Sequence, residues 1–146
     1  MDTKPVEILL VEDNEDDVVM TREAFDAANL INIVQVVKDG EEAMAYLRRQ
    51  GPYKEAKQPG LILLDISMPK KDGLQCLKEI KADPALRHLP VIMLTTSSRE
   101  EDIVKSYSAG ACSYISKPVR FQNFHEVVKA FKLYWSLVSK IPASRS

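Results

Sequence analysis

Leu61-Ile62-Leu63-Leu64 runs four apolar residues straight into a carboxylate, Asp65, and then into Ile66-Ser67-Met68-Pro69. An uninterrupted apolar run of this length fits a strand buried on both faces, as in a parallel sheet. Pro69 cannot extend a ladder and Gly73 follows soon after, so the chain must turn there. Open α/β sheets bind their ligands at the carboxyl ends of the strands. A lone acid on that lip is held in position yet stays reachable from solvent. The plainer role for Asp65 is to cap the next helix, and the rest of the chain has to decide between the two.

The remaining segments alternate strand and helix. Val6–Val11 is a strand with Glu12-Asp13 at its end, and a helix with acids in its first turn, where the macrodipole favours them, runs from Asn14 to about Ala28. Val18, Val19 and Met20 are consecutive, so one helical face cannot bury all three. Ile33–Val37 reads as a strand, Glu41 to about Arg49 as a helix, and Gly51–Gly60 as a polar connection carrying Pro52 and Pro59. After the Asp65 strand come a helix over Gly73–Lys81 and a strand over Val91–Leu94 that ends in Thr95. A helix follows over Arg99–Ala109, stopped by Gly110, which suits a left-handed cap. Cys112–Ile115 is the fifth strand, closed by Ser116-Lys117-Pro118, and the last helix runs from about Arg120 to Ser139. Five β-α repeats predict a doubly wound α/β domain of the (βα)5, flavodoxin-like kind. Its five-stranded parallel sheet is expected in the order 2-1-3-4-5, with right-handed crossovers and helices on both faces.

At 146 residues the expectation is one domain spanning 1–146. A net charge of −1 argues against a nucleic-acid surface, which needs a basic face. No apolar run approaches the ~18 residues of a membrane span and no export signal opens the chain, so the expected location is the cytoplasm. Cys76 and Cys112 lack the close spacing of a zinc or redox pair and read as buried fillers. His88 reads as a loop residue and His125 as a helix residue, neither beside a metal-ligating cluster.

In this architecture the ends of strands one, three, four and five meet at one edge, bringing together Glu12 and Asp13, Asp65, Thr95 and Lys117. Three carboxylates so close repel one another, and either raise each other's pKa or hold a divalent cation. Hard oxygen ligands with free positions suit Mg²⁺. A hydroxyl and an ammonium aimed at the same spot add donors for an anion. Together these groups describe a phosphoryl-transfer site, with an aspartate as the attacking group. Each residue alone has a plain role: a helix cap, a strand-end hydroxyl, a solvated charge. All of these plain roles coinciding at one sheet edge is the less economical reading.

These residues resemble the receiver domain of two-component response regulators over about Val6 to Phe131. The resemblance rests on Val11-Glu12-Asp13, Asp65-Ile66-Ser67-Met68-Pro69, Asp72-Gly73, Leu94-Thr95, Gly110-Ala111 and Tyr114-Ile115-Ser116-Lys117-Pro118. It implies that Asp65 accepts the phosphoryl group and that Asp13 ligates Mg²⁺. Glu12 is implied to act through water on the metal, and the Ser67 carbonyl to complete that site. Thr95 and Lys117 are implied to bind phosphoryl oxygens, with a cis Lys117-Pro118 peptide. By the same resemblance Thr95 and Tyr114 form the switch: Thr95 moves toward the added charge and Tyr114 rotates inward, repacking the face of the fourth helix, fifth strand and fifth helix.

Two features depart from a minimal receiver. The connection from Arg48 to Gly60 is longer, and the last helix is extended. On that helix Phe121, Phe124, Val127, Val128, Phe131, Tyr134, Trp135 and Val138 form one broad face, while Ala130, Leu133, Leu137 and Ile141 flank it. The surplus apolar surface predicts a homodimer with Leu133, Leu137 and Ile141 on its face. With the Pro69-to-Gly73 turn, these features are similar to stand-alone regulators paired with bacterial phytochrome kinases. A sensor histidine kinase, by that similarity one of phytochrome type, is therefore the implied partner, and no output domain is expected after Ile141. Three competing readings are weaker. A flavin-binding protein wants a phosphate cradle where Glu12 to Asp17 stand, and an Mg-dependent aspartyl-phosphate phosphatase wants an acid where Ser67 stands. An unphosphorylated receiver-like module would leave every filled acidic, hydroxyl and lysine position without a use.

Overall fold

In the computed structural model of the chain, residues 6–27, 32–66, 71–95, 108, 110 and 113–116 are described, with side chains omitted at 6, 24–27, 32, 33, 95 and 113–116. The elements are β1 (Val6–Val11), α1 (Glu15–Ala27), β2 (Asn32–Val37), α2 (Gly40–Leu47), β3 (Leu61–Asp65), α3 (Gly73–Ala82), β4 (Val91–Thr95) and β5 (Ser113–Ser116). A single 3₁₀ turn, Gly51–Tyr53, interrupts the connection between α2 and β3. The helices expected over 99–109 and 120–139 lie outside the described residues, as do Cys112, His125, Leu133, Leu137 and Ile141.

The five strands form one sheet in the order β2-β1-β3-β4-β5, and every neighbouring pair is parallel. Both the order and the sense match the expectation. β1 sits between two partners, with Ile8 opposite Val34 on one side and Leu61 on the other. The sequence reverses direction across the sheet between β1 and β3, so a crevice opens at their carboxyl ends.

Side-chain alternation explains how the apolar run of β3 is used. Ile62 and Leu64 join Leu9, Val11, Val91 and Met93 on one face, where Ala43, Met44 and Leu47 of α2 and Cys76, Leu77 and Ile80 of α3 pack against them. Ile8, Leu10, Leu61, Leu63, Ile92 and Leu94 point the other way, and they too are buried. Both faces of the central strands are therefore dry, and each such side chain contributes about 1.5–3 kcal/mol of burial.

Several boundaries differ from expectation by a residue or two, β2 for instance beginning at Asn32 rather than Ile33. β5 includes Ser116, one residue beyond its predicted end. α2 stops at Leu47, before the expected Arg49, because Gln50 N–H donates to Ala45 O (2.9 Å) and Arg49 N–H to Tyr46 O (3.2 Å). This is a Schellman closure, and it places Arg49 at φ +56°. No glycine marks the stop at that position, which is why the sequence misplaces it.

The longer connection is pinned to α2. The Tyr53 and Tyr46 rings stand 5.2 Å apart at 57°, and the Tyr53 hydroxyl donates to Glu42. Glu42 also accepts from Lys38 N–H (2.8 Å), while its own N–H donates to Asp39, the N-cap of α2. One carboxylate thus ties the β2-α2 turn to the inserted segment.

Candidate functional site

Glu12 follows β1 directly, and its N–H donates to Val37 O (2.9 Å), extending the β1-β2 pairing to the edge of the sheet. Its carboxylate accepts from Asn14 N–H (3.1 Å). Asn14, in turn, caps α1: its side chain accepts from Asp17 N–H (3.0 Å) and its carbonyl from Val18 N–H (3.1 Å). Neither Glu12 nor Asp13 serves as that cap. On the far side, α3 is capped by Asp72, whose side chain accepts from Gln75 N–H (2.9 Å). The plain role considered for Asp65, capping the next helix, therefore belongs to another residue.

One carboxylate oxygen each from Glu12, Asp13 and Asp65 lies within 4.8 Å of the others. Glu12 is 1% and Asp65 3% exposed, while Asp13 is exposed. The expectation that Asp65 stays open to solvent is thereby corrected. The carboxyl end of β3 is walled in by its neighbours, and Asp13 is the acid that faces water. Three anionic oxygens this close, two of them desolvated, repel unless a positive charge joins them. Hard donors beside a solvent-facing side fit a divalent cation that keeps part of its water. The residues present fit such an ion.

Backbone pairing carries the same edge across to β4 and β5. Asp65 stands opposite Leu94, and Ile66 N–H donates to Leu94 O (2.9 Å). Thr95 is the last residue of β4, opposite Ser116 at the end of β5. The main chain of Thr95 therefore closes the strand next to Asp65, and Lys117 is next in sequence after Ser116. The Thr95 and Tyr114 side chains, and the whole of Ser67 and Lys117, lie outside the described residues. Tyr114 is placed by its backbone alone, opposite Met93.

Among the described residues, three basic side chains have carboxylate partners outside the acidic trio. Lys38 lies 3.4 Å from Glu15, and Lys71 pairs with Glu79. Arg48 extends that pair into a small network, 3.9 Å from Glu79 and 3.4 Å from Asp83. Cys76, expected as a filler, is fully buried between Met44 Sδ (3.8 Å) and Gly40 O (3.9 Å). Burial, aided by the Glu79 charge, pushes its thiol up to about 12. Sequence reasoning did not single out the caps Asn14, Asp39 and Asp72. The pairs Asp39…Glu42 and Asp72…Gln75 carry the acid-x-x-Glu/Gln spacing that could have found two of them.

A parallel 2-1-3-4-5 sheet with acids gathered at its switch point marks a doubly wound α/β protein with a candidate cation site. The sequence profile of the response regulator receiver domain matches residues 8–129, and the chain belongs to that family. Response regulator Rcp1 of Synechocystis sp. is 36% identical over 140 residues, covering 96% of this chain and 95% of its own. The crystal structure of the phosphorylated cyanobacterial phytochrome response regulator RcpA is similar at a TM-score of 0.79 and 42% identity, covering 95% of this chain and 99% of that one. The Mn²⁺-bound form of Rcp1 is similar at a TM-score of 0.77 and 37% identity, covering 90% and 94%. The chain is thus a two-component receiver whose relatives include phytochrome response regulators. Among the described residues no helix is long and apolar enough to cross a membrane.

Proposed function

We propose that this chain is a response regulator that accepts a phosphoryl group on Asp65 from a sensor histidine kinase. The observation that carries the reading is the convergence of Glu12, Asp13 and Asp65 within 4.8 Å at the sheet's switch point. In this reading a carboxylate oxygen of Asp65 forms a bond to phosphorus as the phosphorus–nitrogen bond of the donor histidine breaks. Burial holds Asp65 in one orientation, so little is lost in positioning it for in-line attack. Glu12, Asp13 and Asp65, with the Ser67 carbonyl, would hold Mg²⁺. That ion would supply charge neutralisation for the transferring group. Thr95 and Lys117 would bind the phosphoryl oxygens.

The added group brings about two negative charges. Thr95 and Tyr114 would relay that change to the face formed by β5 and the helices on either side of it, and Leu133, Leu137 and Ile141 would form a dimer contact. The relatives named above favour a kinase of phytochrome type, working in the cytoplasm.

Acetyl phosphate with Mg²⁺ tests the core of this reading. Intact mass should rise by one phosphoryl group in the native protein and stay unchanged in Asp65→Ala. Sustained turnover of a generic phosphatase substrate, or an unchanged gain in Asp65→Ala, would overturn it.

A further inference from the structure

The backbone of Asp65 is not supported by its strand alone. Gly73, the first residue of α3, donates its N–H to Ile66 O (2.8 Å). A Cβ on Gly73 would overlap Asp65 O outright and would stand 2.7 Å from Ile66 Cα and 2.9 Å from Asp65 C. All three contacts are main chain, so no flexible side chain can swing aside. Nor can α3 retreat cheaply, because Cys76, Leu77 and Ile80 anchor it with no exposed surface. Its first turn is stiffened by Asp72, whose carboxylate accepts from Gln75 N–H (2.9 Å) and whose carbonyl accepts from Cys76 N–H (3.0 Å).

From these contacts we infer that Asp72 and Gly73 are positioning residues for Asp65. The bare α-carbon of Gly73 lets the capped end of α3 press directly on the Asp65-Ile66 peptide, and so sets where the Asp65 carboxylate meets Glu12 and Asp13. The inference rests on the cation-binding reading of those three acids. Metal–ligand distances in a formed site fall within about 0.2 Å of their usual values. A methyl at position 73 forces a larger shift than that, since its carbon would stand well inside van der Waals contact with Asp65 O. Removing the Asp72 cap acts in the opposite sense, leaving the backstop loose without adding an atom.

Mn²⁺ binding, followed by calorimetry alongside circular dichroism and thermal melts, separates positioning from mere stability. The native protein is expected to bind, and Gly73→Ala to keep its far-ultraviolet spectrum while losing about tenfold or more in affinity. Asp72→Ala should lose about fivefold, at the lower end of effects passed between linked sites. Asp72→Asn keeps the acceptor oxygen while removing the charge, and should restore affinity to within about twofold of native. Ile80→Val, which loosens α3 far from Asp65, should lower the melting temperature without changing affinity. If Gly73→Ala fails to fold, the Asp72 pair decides. Native affinity in Asp72→Ala, equal losses in Asp72→Ala and Asp72→Asn, or a matching loss in Ile80→Val overturns the inference. Failure of the native protein itself to bind Mn²⁺ overturns the cation reading and the inference with it.

Discussion

Cys76 illustrates how strongly a single environment can set a side chain's chemistry. Buried against Met44 and beneath α2, its thiol ionises only near about 12, against 9.0 for a free thiol. An acid whose folded pKa is raised contributes fully to stability below its unfolded pKa, and that contribution is lost as pH rises from about 9 toward 12. Urea midpoints of the native protein and of Cys76→Ala should therefore converge as pH is raised from 8 to 10, by an amount on the order of 1 kcal/mol. Unchanged separation across that range would mean that the thiol is not protected. Peptide mapping gives a second check, since iodoacetamide at pH 8 should leave Cys76 unmodified in the folded chain. Tyr53 behaves similarly: desolvation and its bond to Glu42 raise it to about 12, so its tie to α2 persists through the physiological range.

At the scale of elements, the ends of the helices carry the information that their interiors do not. Asp39 caps α2 by accepting from Glu42 N–H (2.8 Å), and Asp39→Ala should cost about 1 kcal/mol, read from urea denaturation. A larger loss would implicate the close approach of Gly40 to Lys71 O, where a Cβ would stand at 2.6 Å. The other end of α2 holds Arg49 in a left-handed conformation at φ +56°. That conformation costs a side-chain-bearing residue about 1–2 kcal/mol. Arg49→Gly should raise stability by about 0.5–1 kcal/mol after the added freedom of the unfolded chain is subtracted. A decrease would show that the Arg49 side chain makes a contact worth more than the strain. On α1, the consecutive Val18, Val19 and Met20 resolve as the periodicity requires, with Val19 53% exposed and its neighbours half-buried.

At the scale of the whole molecule, the proposed cation reading predicts that the acidic cluster gains stability when Mg²⁺ is added. Three carboxylate oxygens lie within 4.8 Å of one another, and like charges that close repel, least where Asp13 faces water. Asp13→Asn should therefore melt slightly above the native protein in EDTA. With 10 mM Mg²⁺ the order should reverse, because a ligand at a hundred times its dissociation constant adds about 2.7 kcal/mol to the state that binds it. Equal melting shifts with Mg²⁺ in both proteins would place the cation elsewhere. Residual stabilisation at low pH is not expected, since protonated carboxyls no longer attract the ion.

The sequence by itself determined the class of fold, the strand order and the three acids. A continuous apolar run has to be buried on both faces, parallel strands need helical crossovers, and residues at strand ends then share one edge. It also anticipated Cys76 as a buried filler, because two cysteines without close spacing make neither a disulfide framework nor a zinc or redox pair. The tertiary structure alone decided that Asp65 is buried while Asp13 faces water, that Asn14 and Asp72 rather than the site acids cap α1 and α3, and that α2 ends early at Leu47. Those outcomes depend on which backbone groups from distant segments come within hydrogen-bonding or contact distance. Gly73 is the clearest case: its neighbour is the Asp65 peptide, eight positions earlier in the chain, and only packing brings the two together.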